Sequence, residues 1–183
     1  FPSRKNLSVA EQMAELLRDL ELARSLRLNA VVFQVRPMAD AVYNSRLEPW
    51  SEFLTGEMGK PTAQNFDPLQ FLIAEAHRRG ILVHAWFNPY RAYHSSAKTV
   101  SANHISKRRP DLVRKYGRYQ WLDPTDAEVQ DHSAKVIADV VRRYDVDGVH
   151  FDDYFYPYAE KDASGNKIEF PDDKNWQEYL RAA

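Results

Sequence analysis

Asp152 and Asp153 stand side by side in Gly148-Val149-His150-Phe151-Asp152-Asp153-Tyr154-Phe155-Tyr156-Pro157, where an apolar stretch gives way to a loop. A carboxylate at the end of a buried strand can act as a nucleophile or stabilise positive charge, and parallel α/β barrels keep their catalytic groups at the carboxyl ends of strands. Two earlier runs end in a similar way, Ala30-Val31-Val32-Phe33-Gln34-Val35-Arg36 and Ile81-Leu82-Val83-His84-Ala85-Trp86-Phe87-Asn88. Side chains alternate along a strand, so Val31, Phe33, Val35, Val83, Ala85, Phe87, Val149 and Phe151 share the apolar side. Gln34, Arg36, His84, Trp86, Asn88, His150 and Asp152 then converge on the other. Such groups are costly to bury unpaired, so the set must be hydrogen-bonded, hydrated or used on a ligand. Taken singly, a member such as His84 also fits as a satisfied core residue. Asp153 has the opposite parity and reads better as a loop or capping carboxylate, which leaves it a secondary candidate. Tyr154 and the aromatics after it either line a ligand subsite or seal the rim.

The elements that must position these residues alternate between helix and strand. Ser8-Val9-Ala10-Glu11 is a capping box, and Met13, Leu16, Leu17, Leu20 and Ala23 follow at the spacing of one helical face. Asp67-Pro68 opens a second helix carrying Leu69, Leu72, Ile73 and Ala76, and Gly80 closes it. Asp123-Pro124 is expected to open a third, with Val129, Ser133, Val136, Ile137 and Val140 inward, and a short helical piece is expected near Asp111 to Tyr116. The pattern predicts an α/β fold with parallel strands joined by helical crossovers. Helices return to strands within a few residues, whereas strands lead onward through long stretches, Pro37 to Phe66 and Pro89 to Leu122. The elaboration therefore lies at the carboxyl ends, the ligand face of such sheets.

One domain over residues 1–183 is expected, and 183 residues fall short of the roughly 250 of a complete eight-fold barrel. With Phe1-Pro2-Ser3 reading as a loop just past a strand, the expectation is a partial (β/α)8 barrel. A net charge of -1 favours neither nucleic acid nor an anionic membrane as partner, and the sequence has no apolar run long enough to span a bilayer. Ten Tyr and four Trp supply flat surface of the kind that stacks on sugar rings. The absence of Cys excludes disulfides and thiolate metal sites and leaves the compartment open.

Phe33-Gln34-Val35-Arg36-Pro37, the stretch from Ala41-Val42-Tyr43 to Pro49-Trp50-Ser51, His84-Ala85-Trp86-Phe87-Asn88-Pro89-Tyr90-Arg91 and Asp145 to Pro157 occur in an order that resembles the glycosyl hydrolase-like 10 family. The resemblance implies a barrel related to the α-amylase type, often in envelope lipoproteins or secreted proteins, with at least one member acting on peptidoglycan glycan strands. On that mapping the chain runs from just after barrel strand one to the helix after strand four, near Trp176 to Ala183. Gly148-Val149-His150-Phe151-Asp152 is similar to the superfamily pattern Gly-x-Arg-x-Asp at its glycine and aspartate, which makes Asp152 the candidate nucleophile. His150 replaces the arginine, and a histidine, unlike an arginine, can lose its charge near neutral pH. Asn88 resembles the strand-three asparagine that shapes the first sugar subsite.

Gln34 and Arg36 are expected on the pocket floor, His84, Asn88 and His150 on Asp152 or on sugar hydroxyls, and Trp86, Tyr90 and Tyr154 as stacking surfaces. The implied partner is a carbohydrate, with no cofactor. The resemblance puts the acid/base on strand five, outside this chain, so residues 1–183 alone are expected to be inactive. Two other classes stay open: a glycan-binding pseudoenzyme, and a metal-dependent hydrolase using His84, His150 and Asp152 as ligands.

Overall fold

The computed structural model describes residues 1–182. Helix α1 spans Val9–Ser25, and its Ser8 and Glu11 make the reciprocal capping box that satisfies otherwise orphaned amides. It leads into strand β1, Ala30–Arg36. A four-residue helix α2, Glu52–Thr55, and a 3-10 turn, Ala63–Asn65, lie in the following loop before helix α3, Pro68–His77. Asp67 caps α3 through the amides of Leu69 and Gln70. Its other end is closed by bonds from Ile81 N to Ala76 O and from Gly80 N to His77 O, a pairing that needs a left-handed residue at Gly80, where φ is +69°. Strand β2, Leu82–Phe87, follows at once.

β1, β2 and the later strand β6, Gly148–Phe151, form one three-stranded parallel sheet in the order β1-β2-β6. Gln34, Trp86 and His150 share one row of it, and Val32, His84 and Gly148 the row below. On the opposite face Phe33, Val35, Val83, Ala85 and Phe87 meet Leu16 and Leu20 of α1 and Leu69, Leu72 and Ile73 of α3. Val136 and Val140 of helix α5, Ala127–Arg143, complete this core. Each fully buried Leu or Val contributes about 1.5–3 kcal/mol. The expected helix spacing and strand parity are thus observed. The sheet has two open edges and does not close into a barrel among the described residues, so the architecture shown is the α/β sheet rather than a complete ring. Val149 and Phe151, on the helix-facing side of β6, remain 36% and 43% exposed.

The segment from Pro89 to Leu122 departs from the expectation. It holds a second, antiparallel sheet of β3 (Arg91–Tyr93), β4 (Val113–Tyr116) and β5 (Tyr119–Leu122), with helix α4, Ile105–Arg108, between β3 and β4. The piece expected to be helical from Asp111 to Tyr116 is a 3-10 turn at Pro110–Leu112 followed by β4. Tyr116 pairs with Tyr119 across a two-residue turn in which Gly117 takes φ +54°. A second apolar cluster of Ala92, Leu112, Leu122 and Val129 lies in this region.

The third long helix starts three residues later than expected. Asp126 caps it through the amides of Glu128 and Val129, while Asp123 is buried, caps the turn at Thr125 and accepts a hydrogen bond from Asn175. Helix α6, Asp173–Ala182, follows β6 at a distance, and Ala183 lies outside the described residues. The two long loops are fastened by Glu52, whose buried carboxylate accepts from Lys98 N, Thr99 N and Thr99 Oγ1 at 2.8–3.0 Å. Among the described residues no helix is long and apolar enough to cross a membrane.

Candidate active site

Asp152 follows β6 directly, on the face opposite the helices. Its Oδ2 accepts two hydrogen bonds, from Trp86 Nε1 and from Asn88 Nδ2, each at 3.1 Å. Among the described residues its Oδ1 receives only the backbone N–H of Tyr154, at 3.4 Å. One carboxylate oxygen is held and the other is nearly free to face a reacting atom. The Asn88 amide cannot turn over, because its Oδ1 accepts the Arg91 backbone N–H at 2.8 Å while its Nδ2 donates to Asp152. Asn88 is fully buried, so it aims Asp152 instead of presenting its amide to a ligand.

Of the residues expected to converge, Trp86, Asn88, His150 and Asp152 do so directly. Trp86 and His150 meet edge to face, with ring centroids 6.1 Å apart. His84 lies one row lower with its imidazole over Gly148, where a Cβ would come within 2.9 Å of the ring. That close approach is the reason for a glycine at the start of β6. Gln34 is half-buried in the Trp86 row. Tyr90 packs against Phe155 at 6.0 Å, and Tyr154 against Tyr158 at 4.7 Å. Asp153 is exposed and accepts the Tyr158 hydroxyl at 3.1 Å, as its opposite parity predicts. Among the described residues no three His, Asp or Glu side chains come together closely enough to hold a metal ion, so His84, His150 and Asp152 do not form the ligand set of the metal reading.

Arg36 departs from the expected floor position. β1 bulges between Gln34 and Arg36, so that Arg36 pairs with Phe87, and the alternation that carries Gln34 onto the site face is broken there. The guanidinium is fully buried, binds both Glu48 carboxylate oxygens, and donates from Nη1 to Asn88 O and Pro89 O at 2.8 Å each. It therefore supports the backbone that carries Asn88. Burial pushes the Glu48 carboxyl upward, but the Arg36 charge and the bonds from His132 and Arg36 outweigh it and hold it at about 2.

Asp40, in the loop after β1, is buried with Met38 N on its Oδ1 and, among the described residues, no partner on its Oδ2. Burial raises its pKa to about 6. A raised folded-state value favours the protonated form in the fold, so this stabilisation is complete below the unfolded pKa near 3.9 and is lost as pH rises through 6. Asp40→Asn removes the titration. Its unfolding free energy, compared with that of the unsubstituted protein in urea, should shift in the variant's favour by about 2 kcal/mol between pH 4 and pH 7.5. A difference constant with pH would show that Asp40 ionises normally.

Arg91, which lies outside the parallel sheet and so beyond the reach of its alternation, is the residue nearest in role to this constellation. Its backbone fixes Asn88, and its side chain enters a cleft beside Tyr154. The available signal was its place three residues after Asn88, where a tight turn returns the chain to the site.

The sequence model described as "Glycosyl hydrolase-like 10" matches residues 3–180. A glycosyl hydrolase of Bacillus subtilis, YngK, is 43% identical over 185 residues, covering 100% of this chain and 35% of that protein. The Escherichia coli glycosyl hydrolase DigH is 41% identical over 155 residues, covering 79% of this chain and again 35% of the relative. The chain thus spans about a third of the length of the curated relatives it matches. Among solved structures, a noncanonic maltogenic α-amylase from Thermotoga neapolitana, AmyB, superposes with a TM-score of 0.52 at 15% identity, over 83% of this chain and 36% of that one. That similarity concerns the fold alone.

Proposed function

As the chain belongs to the glycosyl hydrolase-like 10 family across residues 3–180, we propose that it carries the nucleophile side of a glycoside-hydrolase site, with Asp152 as the attacking or charge-stabilising carboxylate. The observation that carries this reading is the asymmetry at Asp152. Oδ2 is held by Trp86 and by the locked amide of Asn88, and Oδ1 is left nearly free at a strand end among aromatic side chains. A carboxylate aimed in this way suits attack at an anomeric carbon or stabilisation of an oxocarbenium-like transition state. Trp86, Tyr90 and Tyr154 are the surfaces for stacking on sugar rings, and His150, which is exposed beside Trp86, is placed to meet hydroxyls.

Glycoside hydrolysis also needs a second carboxyl group, about 5–5.5 Å away for retention or 6.5–9.5 Å for inversion. Asp153 is engaged by Tyr158, and Glu160 faces Arg118 at 3.6 Å. We assign the acid/base to neither and place it in the remainder of the full-length protein, as the family resemblance implies. Bacterial glycan, with peptidoglycan glycan strands first, is the proposed substrate class. The test is incubation of the full-length protein with purified glycan strands and with neutral polysaccharides, reading new reducing ends and, separately, binding. Cleavage of any of them supports the hydrolase. Binding without new reducing ends would replace it with a glycan-binding pseudoenzyme, and neither binding nor cleavage would remove both.

A further inference from the structure

Arg36 is fully buried and Arg91 partly so, and they are treated differently. Arg36 is paired at every turn, whereas the Arg91 side chain makes one hydrogen bond, from Nε to Pro37 O at 2.9 Å, and pairs with no carboxylate among the described residues. Among the described residues neither Nη of Arg91 has a hydrogen-bond partner. Burial lowers its pKa, with Asp152, Tyr154 and Asp40 opposing from a distance. A guanidinium stays charged under these conditions, and partial burial without a counter-ion is a cost that a ligand can repay.

The side chain opens into a cleft of about 120 Å³, walled by His94, Tyr119, Trp121, Tyr154 and Tyr158. The walls are firm. Arg91 and Trp121 are register partners in the antiparallel sheet, Trp121 Nε1 donates to Phe155 O at 2.9 Å, and Tyr119 packs against His94 at 5.0 Å. Glu160 also lines the cleft, with its charge offset by Arg118. Tyr154 belongs to both places, forming a wall here and giving its backbone N–H to Asp152. The space is well below the roughly 300–1,000 Å³ of a drug-sized pocket. It suits a substituent on a sugar ring, with the ring itself lying toward Asp152.

We propose that Arg91 is a specificity-determining residue that receives a carboxylate carried by the glycan, in a subsite adjoining Asp152, so that the preferred substrate is an acidic sugar chain. The planar fork of the guanidinium matches a carboxylate with two parallel hydrogen bonds, and the aromatic side chains beside it, with Trp121 fully buried, reduce the screening of those bonds by water. This rests on the glycan reading above and adds a charge requirement to it. The carboxylate can belong to a hexuronic acid or to the lactyl ether of N-acetylmuramic acid, two sources of the same recognition chemistry.

The experiment is titration calorimetry on the full-length protein with two pairs of oligosaccharides. One pair is a hexuronic-acid oligomer and the same oligomer with its carboxylates reduced to alcohols; the other is an N-acetylmuramic-acid-containing oligomer and its reduced form. The expected result is binding at least about tenfold tighter to the acidic member of one pair, roughly the value of one charge-assisted contact. Whichever pair shows it names the source. In Arg91→Gln the two members should bind within twofold of each other, and Arg91→Lys, which keeps the charge without the fork, should show an intermediate preference and serves if Arg91→Gln does not fold. Equal binding of acidic and reduced forms in both pairs, or a preference that survives in Arg91→Gln, overturns the role of Arg91 and leaves the glycan reading standing. Binding to none of the four overturns both.

Discussion

Replacing Asp152 with asparagine in the full-length protein should lower glycan cleavage on the order of 10⁴-fold or more, the scale on which losing a nucleophile acts. The geometry makes this a clean test of chemistry. Trp86 Nε1 and Asn88 Nδ2 both donate to Oδ2, and an asparagine carbonyl in that place accepts both. The amide nitrogen then takes the place of Oδ1, where the only bond lost is the long one from Tyr154 N at 3.4 Å. Stability should change by no more than about 1 kcal/mol, the worth of one ordinary hydrogen bond. Turnover measured by reducing ends, beside melting curves of both proteins, separates the effects. Retained cleavage in a folded Asp152→Asn protein would remove Asp152 from the nucleophile role, and a collapsed melting curve would assign it a structural one.

The features legible in the sequence were those decided by near neighbours. The capping box at Ser8 and Glu11, the Asp67 cap before Pro68 and the left-handed Gly80 each follow from side chains within four residues, and each stands where the spacing puts it. Parity carried Trp86 and Asp152 to one face, because β2 and β6 pair in register without a break. It failed at Arg36 because the bulge in β1 is a property of the strand pair and leaves no mark in β1 alone. The start of α5 was misplaced for a similar reason. Asp123 and Asp126 are equally good caps, and Asp123 is drawn away by Arg114 at 3.5 Å and by Asn175, partners 9 and 52 residues distant. The antiparallel sheet was hidden because Val113 to Tyr116 is short and charged, and it becomes a strand only by pairing across Gly117. Arg91 is hidden with it, since its role depends on the cleft that this sheet builds.

Glu48→Gln should be the most destabilising single change at the base of the site, by about 3–5 kcal/mol, because it removes one partner of a buried ion pair and leaves the other charge uncompensated. Glu48 and Arg36 are both out of water, joined by Nε contacts of 3.0 and 2.8 Å and an Nη2 contact of 2.5 Å, with His132 Nε2 on the same carboxylate at 3.0 Å. For a chain of this size the loss corresponds to a fall in melting temperature of roughly 6–20 °C. Its consequence reaches the chemistry through one chain of contacts. Arg36 holds Asn88 O and Pro89 O, Asn88 aims Asp152, and a guanidinium that has lost its carboxylate is no longer fixed against those carbonyls. At a temperature where Glu48→Gln remains folded, the indole N–H resonance of Trp86, which reports the bond to Asp152, should therefore shift, while that of Trp121, bonded to Phe155 O, should stay in place. A loss of stability with both indole signals unmoved would confine the Arg36–Glu48 pair to holding the fold together, and an unchanged melting temperature would refute the uncompensated-charge account itself.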